Sequence, residues 1–230
     1  MFSLSVFNHY SQKREVYNNG YLIDTMSALD YLLAGSLEEQ IKKKLGIKTY
    51  QKVEKRLEEH YGISVLEAIR DFQKMDATLR EFFGAGADEI EKDFLENFVS
   101  LDKLKKDQGW ITIREPKIAK LILESFGNPD KKIILDSSLT QPNVILDILN
   151  SGNIPKSSGY RVIKELLTSG LLAEKGYATT RDGKKISKYT SLFKRVRLDI
   201  QGDKISAQVQ INAGFLQESY LLKVAQGSWV

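Results

Sequence analysis

The 230-residue chain has no cysteine and only two histidines, His9 and His60. Without thiols there is no disulfide, no thiolate nucleophile, no Cys-ligated zinc and no iron–sulfur cluster. A histidine-based site would have to use His9, in an apparent tail, or His60, at the end of a charged helix, and both read as solvated. No apolar run approaches the ~20 residues that span a bilayer. The opening MFSLSVFNHYSQKR has no charged segment ahead of a long apolar stretch, so the expected location is the cytoplasm, away from membranes. A phosphate loop is also lacking: GAGAD at 84–88 has no preceding strand and no Gly-Lys-Ser/Thr, and reads as a turn between helices. Glu54, Glu58 and Glu59 alternate with Lys52, Lys55 and Arg56 as on a solvated helix face. No catalytic set, cofactor or metal site is expected.

What is present suits a packed core, with 42% hydrophobic and 10% aromatic residues. The net charge is only +4, but it is unevenly placed. Residues 1–108 hold 16 Lys/Arg against 19 Asp/Glu, and residues 109–230 hold 18 against 11. Within 156–197 the count is 11 against 3, the concentration of positive charge that a polyphosphate partner rewards by releasing counterions.

Residues 1–20 read as a tail or one short strand (FSLSVF). From Tyr21 to 108 the apolar spacing is helical. Leu22, Ile23, Met26, Leu29 and Leu33 open the pattern. Ser36 with Glu39 predicts a capping box and a short helix ending near Gly46, and another helix follows over 48–61. Ser64 with Glu67 predicts a helix to Gly84. Asp88 with Glu91 predicts one that buries Ile90, Phe94, Phe98, Leu101 and Leu104. Its aromatics (Tyr50, Tyr61, Phe72, Phe82, Phe83, Phe94, Phe98) line either a plain core or an effector pocket. This acidic half is therefore expected to serve dimerisation or to bind a small-molecule or protein effector. The polar KLKKDQG at 103–109 is the expected domain boundary, so residues 109–230 are expected to fold alone.

Beyond it, Trp110–Ile113 reads as extended and Pro116 opens a helix. NPDKK restarts a helix through Leu139, and Gln141-Pro142 starts another. Ser157 is the expected N-cap of a helix to Ser169, closed by Gly170. Then come LLAEKGYATT, the polar turn RDGKK, a β-like run from Ile186 to Ile200, and a hairpin into ISAQVQI. The last residues, within 201–230, form a strand followed by a helix or an arm.

Helix, helix, tight turn, helix, strand, turn, strand is the order of a winged helix-turn-helix. The expected fold class is mainly α with a small β wing: an N-terminal helical domain and a winged domain over 109–200. On the helix from Ser157, Gly159, Ile163 and Leu166 share one face and pack on the preceding helix. The other face presents Lys156, Ser157, Ser158, Tyr160, Arg161 and Lys164, a set suited to a major groove. The turn adds Thr180, Arg181, Lys184, Lys185 and Lys188, suited to the backbone or minor groove.

The stretches ILESFGNPDKKIILD, IPKSSGYRVIKELLTSGLL and GYATTRDGKKISKYTSLF, within about 113–200, resemble the ArsR-like winged-helix regulators of archaea. That resemblance covers about two fifths of the chain. It implies a DNA-reading third helix, double-stranded DNA as partner and a homodimer. The absence of cysteine and of histidine pairs excludes the thiolate metal sensing known in that family. The alternative is a winged helix that serves as a protein-interaction subunit of an assembly.

Overall fold

The structure, a computed structural model, describes residues 28–96, 99–101 and 110–225. The expected N-terminal tail, the start of the first helix, Phe98 and Leu104 lie outside them. The architecture is mainly helical with two antiparallel sheets. No helix among the described residues is long and apolar enough to cross a membrane.

Helix α1 runs from Ala28 to Tyr61. The expected start at Ser36 is not used, because Leu29, Leu33, Leu37 and Ile41 form an uninterrupted buried stripe across it. The direction changes instead at Gly46, whose φ of 73° suits a residue without Cβ, and Tyr50, Val53 and Leu57 carry the buried face onward. Helix α2 (Val65–Arg70) starts at the expected capping box: the Glu67 amide donates to Ser64 Oγ at 3.2 Å, and the Ser64 amide to Glu67 Oε2 at 2.9 Å. The single helix expected here breaks at Asp71, and α3 (Phe72–Phe83) follows. Gly84–Gly86 is a short 3-10 turn into α4 (Ala87–Glu96), so the glycine pair does link two helices. Helix α4 stops before the expected Leu101, which lies in strand β1 (Val99–Leu101).

Strand β2 (Trp110–Ile113) leads to α5 (Pro116–Gly127), with Pro116 in its first turn, and α6 (Pro129–Asp136), capped by Asn128. Helix α6 ends three residues before the expected Leu139. No helix starts at Gln141-Pro142. Asn143–Val144 is instead a short strand, β3, with Asn143 Nδ2 donating to Ser137 O at 2.8 Å. Helices α7 (Ile145–Ser151) and α8 (Lys156–Thr168) come next. Strands β4 (Leu172–Thr179), β5 (Lys185–Ser191), β6 (Phe193–Gln201) and β7 (Lys204–Ile211) follow, then α9 (Ala213–Glu218) and α10 (Tyr220–Ala225).

The continuous strand expected from Ile186 to Ile200 divides at Leu192, and its halves enter different sheets. Strand β5 lies between β3 and β4, whereas β6 is the edge of a sheet ordered β1-β2-β7-β6. Buried Leu192 makes the handover: its amide donates to Leu171 O at 3.0 Å, and its carbonyl accepts from the Asn212 amide at 3.1 Å.

The expected boundary at 103–109 lies outside the described residues, and the described residues on either side of it share one core. Strand β1 pairs with β2 across it, in register Val99 to Ile113, and one buried cluster runs from α1 to β7 and α10. Lys117 on α5 bonds Glu39 on α1 at 2.5 Å. A Cβ at Gly170 would lie 2.9 Å from the Leu32 amide nitrogen, so the turn after α8 rests directly on the α1 backbone. Residues 201–225 are no loose arm. Strand β7 is central to its sheet, and buried Asp30 of α1 accepts from Ser219 Oγ at 2.5 Å and the Tyr220 amide at 2.9 Å.

Candidate nucleic-acid interface

Helix α8 is held by what its buried face lacks. A Cβ at Gly159 would come within 2.4 Å of Leu149 Cδ2, so any larger residue would have to displace the Leu149 methyls to keep this approach to α7. Val162, Ile163 and Leu166 complete the buried face. The turn between the helices is fixed by the Ile154 amide donating to Leu149 O at 3.0 Å, with Asn153 at a φ of 50°. Helix α8 begins at Lys156, one residue before the expected start. Pro155 occupies the cap position and no side chain caps it, so Ser157 lies in the first turn rather than at the N-cap.

With that face buried, Lys156, Ser157, Arg161 and Lys164 are exposed, as expected. Two of the expected residues are less available. Tyr160 is half-buried and packs against the core. Ser158, also half-buried, donates its hydroxyl to Pro155 O at 3.1 Å. Arg161 is not a bare charge: its Nη1 donates to Glu165 Oε1 at 2.7 Å, and Glu165 Oε2 also meets Lys131 Nζ of α6 at 3.1 Å. Lys131, with Arg161 behind it, holds the Glu165 carboxyl below the usual carboxylate range. The i,i+4 spacing of Arg161 and Glu165 was available in the sequence. The arrival of Lys131 from another helix was not.

The turn Ser169–Gly170–Leu171 carries α8 into β4, which pairs with β5. The hairpin tip is closed by the Thr180 amide to Lys184 O at 2.9 Å and the Gly183 amide to Thr180 O at 3.0 Å, with Gly183 at a φ of 81°. The Thr180 hydroxyl is taken up within the turn, accepting from the Lys184 amide at 3.0 Å and donating to its carbonyl at 3.1 Å. Arg181, Lys184 and Lys185 project into solvent. Asp182 sits 3.3 Å from Lys184 Nζ. Lys188 is not at the tip: it is half-buried in the ladder opposite Val144.

The structure also divides the basic stretch read from the sequence. Lys194, Arg195 and Arg197 belong to β6 in the other sheet, and Arg197 lies over the Trp110 ring at 4.7 Å. Lys175 is tied to Glu218 at 2.6 Å. Sequence reasoning missed two exposed hairpin side chains, Tyr177 at 59% and Ile186 at 43% exposure. They lie on opposite faces, since Ile186 pairs with Ala178 rather than Tyr177.

In the acidic half, Tyr50, Phe72 and Phe94 are core, and the Tyr50 hydroxyl donates to Glu38 at 2.8 Å. Phe82 is exposed and flanks an open groove lined by Lys52, Lys55, Arg56, Glu59 and Glu81. His60 is partly exposed beside Glu81 at 3.5 Å. Compared with known proteins, the chain matches no protein-family model, no curated protein and no solved structure.

Proposed function

We propose that residues 116–191 form a winged helix-turn-helix unit and that the protein is a sequence-specific regulator of transcription. It binds double-stranded DNA as a homodimer in the cytoplasm, the dimer being what the family resemblance implies. The observation that carries this reading is the outward face of α8. Lys156, Arg161 and Lys164 are exposed on a helix whose other side is locked to α7 through Gly159. A β-hairpin bearing exposed Arg181, Lys184 and Lys185 follows directly. A rigid helix with cations and a hydroxyl on its free face fits a major groove, and a charged hairpin tip fits the adjoining backbone.

On DNA, Arg161 exchanges Glu165 for a base edge or a phosphate. Glu165 keeps Lys131 as its partner, which limits the cost of that exchange. The test is binding-site selection with the purified chain, followed by salt titration on the selected site. Arg161→Ala is expected to cost about 1–3 kcal/mol on the selected site and little on random DNA if Arg161 reads a base. Equal losses on both would make it a phosphate contact, and no loss on either would remove it from the interface.

Exposed Tyr177 and Ile186 favour a second reading, in which the hairpin docks on a protein of a larger assembly. The two readings separate by salt. DNA binding weakens steeply as salt rises, whereas an apolar contact does not.

A further inference from the structure

Strand β6 is the outer member of the four-stranded sheet, and among the described residues no strand pairs with its free side. On such an edge every second residue turns its amide and carbonyl away from the neighbouring strand, which leaves donors and acceptors for another. Val196, Leu198 and Ile200 continue the apolar face of β7, opposite Val209, Ala207 and Ile205. Cover runs out along that row: Val196 and Leu198 are half-buried against the core, and Ile200 is 55% exposed. Arg195, Arg197 and Asp199 alternate with it on the other face and are exposed.

Charges on an edge ordinarily keep other strands away. Here their order admits one partner in one register. Antiparallel strands related by a two-fold axis meet at a residue that faces its own copy. Centred on Leu198, Arg197 faces the partner's Asp199 twice over, Val196 faces the partner's Ile200, and Arg195 faces the partner's neutral Gln201. Centred on Val196, Arg195 would face the partner's Arg197. Centred on Arg197 or Asp199, like charges would meet at the axis itself. Centred on Ile200, pairing would stop at the turn after Gln201. The Leu198 register alone opposes unlike charges, brings no like charges together and keeps the apolar row continuous across the axis. Arg197 rests over the Trp110 ring at 4.7 Å, so its charge chooses the register more than it adds strength.

We propose that the free edge of β6 pairs with β6 of a second copy, antiparallel and centred on Leu198, and joins the two four-stranded sheets into one. The inference rests on the homodimer of the proposed function, to which it gives a surface, and not on DNA binding.

The test is sedimentation equilibrium of the full chain without DNA, with circular dichroism as the check of folding. The wild type is expected to form a reversible dimer with a dissociation constant on the order of micromolar, as a small interface gives. Arg197→Asp and Asp199→Arg each set like charges opposite one another at both symmetric positions, and each should raise that constant about tenfold or more. An equimolar mixture of the two variants restores unlike pairs at both positions and should recover the dimer as a heterodimer. Neither a dimer made elsewhere on the chain nor damage to the fold produces that recovery. If Arg197→Asp does not fold, Asp199→Arg and Ile200→Lys, both at exposed positions, decide the matter by weakening the dimer. A wild type that stays monomeric overturns this proposal and the homodimer reading together. A dimer that the folded variants leave as tight as before, or one whose loss the mixture does not repair, overturns the β6 edge as its surface and leaves the homodimer reading standing.

Discussion

The two sheets are built on opposite principles. In the three-stranded sheet every pairing falls within residues 143–191, with β4 and β5 joined by a turn of five residues and β3 reaching β5 across α7 and α8. In the four-stranded sheet Trp110 pairs with Gln210, and β1 enters from the acidic half. One sheet ends in a free, charged tip. The other ties the first and last parts of the chain into a common core. The first sheet carries Arg181, Lys184 and Lys185 on its free tip, and the second carries Lys194, Arg195 and Arg197 on its edge strand β6.

The most severe test of that contrast is to cut the chain at the missing boundary. A fragment beginning at Gly109 keeps the whole charged unit but loses α1 to α4 and β1. Ile111 and Ile113, both 0% exposed in the intact chain, would lose part of their packing, as would Leu171 and Ile118. The fragment is expected to lose cooperative unfolding, as measured by circular dichroism in urea, and to associate in sedimentation. A cooperative, monodisperse fragment would mean that the charged unit is self-sufficient.

Two glycines with nearly the same backbone sharpen the comparison. Gly170 has a φ of 76° and Gly183 a φ of 81°. An added Cβ at Gly170 meets the Leu32 amide and the Ala28 carbonyl of α1, whereas at Gly183 it meets nothing within 4 Å. Gly170→Ala should cost about 3–4 kcal/mol, combining backbone strain with a clash that no rotamer relieves. Gly183→Ala should cost about 1–2 kcal/mol from strain alone. Equal losses in chemical denaturation would show that the α1 contact is readily given up.

Asp30, which joins the first helix to the last, makes the long-range part of the molecule sensitive to a rise in pH. Burial, opposed by the bonds from Ser219 and Tyr220, raises it from 3.8 to about 6. Between those values the folded chain holds a proton that the unfolded chain has released. Stability contributed by this group is therefore lost as pH rises through that window and is level above it, a change of about 3 kcal/mol. Asp30→Asn keeps the shape and should flatten that slope in urea midpoints measured across the window. An unchanged slope would place the sensitivity elsewhere.

The smallest effect on stability belongs to the hairpin tip. Lys184→Ala with Lys185→Ala should shift the unfolding midpoint hardly at all, within about 0.5 kcal/mol. On DNA the same pair should weaken binding to all sequences alike and reduce the salt slope by about one unit per lost contact. An unchanged slope would put the tip off the DNA.

The local features were legible and the distant ones were not. Ser64 with Glu67, Pro116, the hairpin turn at Gly183 and the close approach at Gly159 each announce themselves within a few residues. The exposed face of α8 followed from them, with Arg161 and Lys164 in place. In α1 the break at Gly46 was legible, but the start expected at Ser36 fails because a good capping pair there loses to an apolar stripe that continues through it. Strand β1 was absorbed into a helix because Val99–Leu101 becomes a strand only through a partner at Trp110–Ile113. The division at Leu192 left no mark, since a buried leucine in a run of β-formers looks like any other. Lys131 beside Glu165 depends on helix packing, which no spacing rule encodes.

Leu192 also determines how the two sheets exchange hydrogen with solvent. Its amide closes on Leu171 beside the charged hairpin unit, and its carbonyl receives the Asn212 amide at the end of the four-stranded sheet. Each of these two protons is held in a hydrogen bond at the seam and exchanges when that bond opens. Their exchange rates therefore measure how often the seam parts. If a ligand stiffens the hairpin, protection should rise at Leu192 first and at Asn212 after it, so this single residue reports on a mechanical linkage between the two sheets.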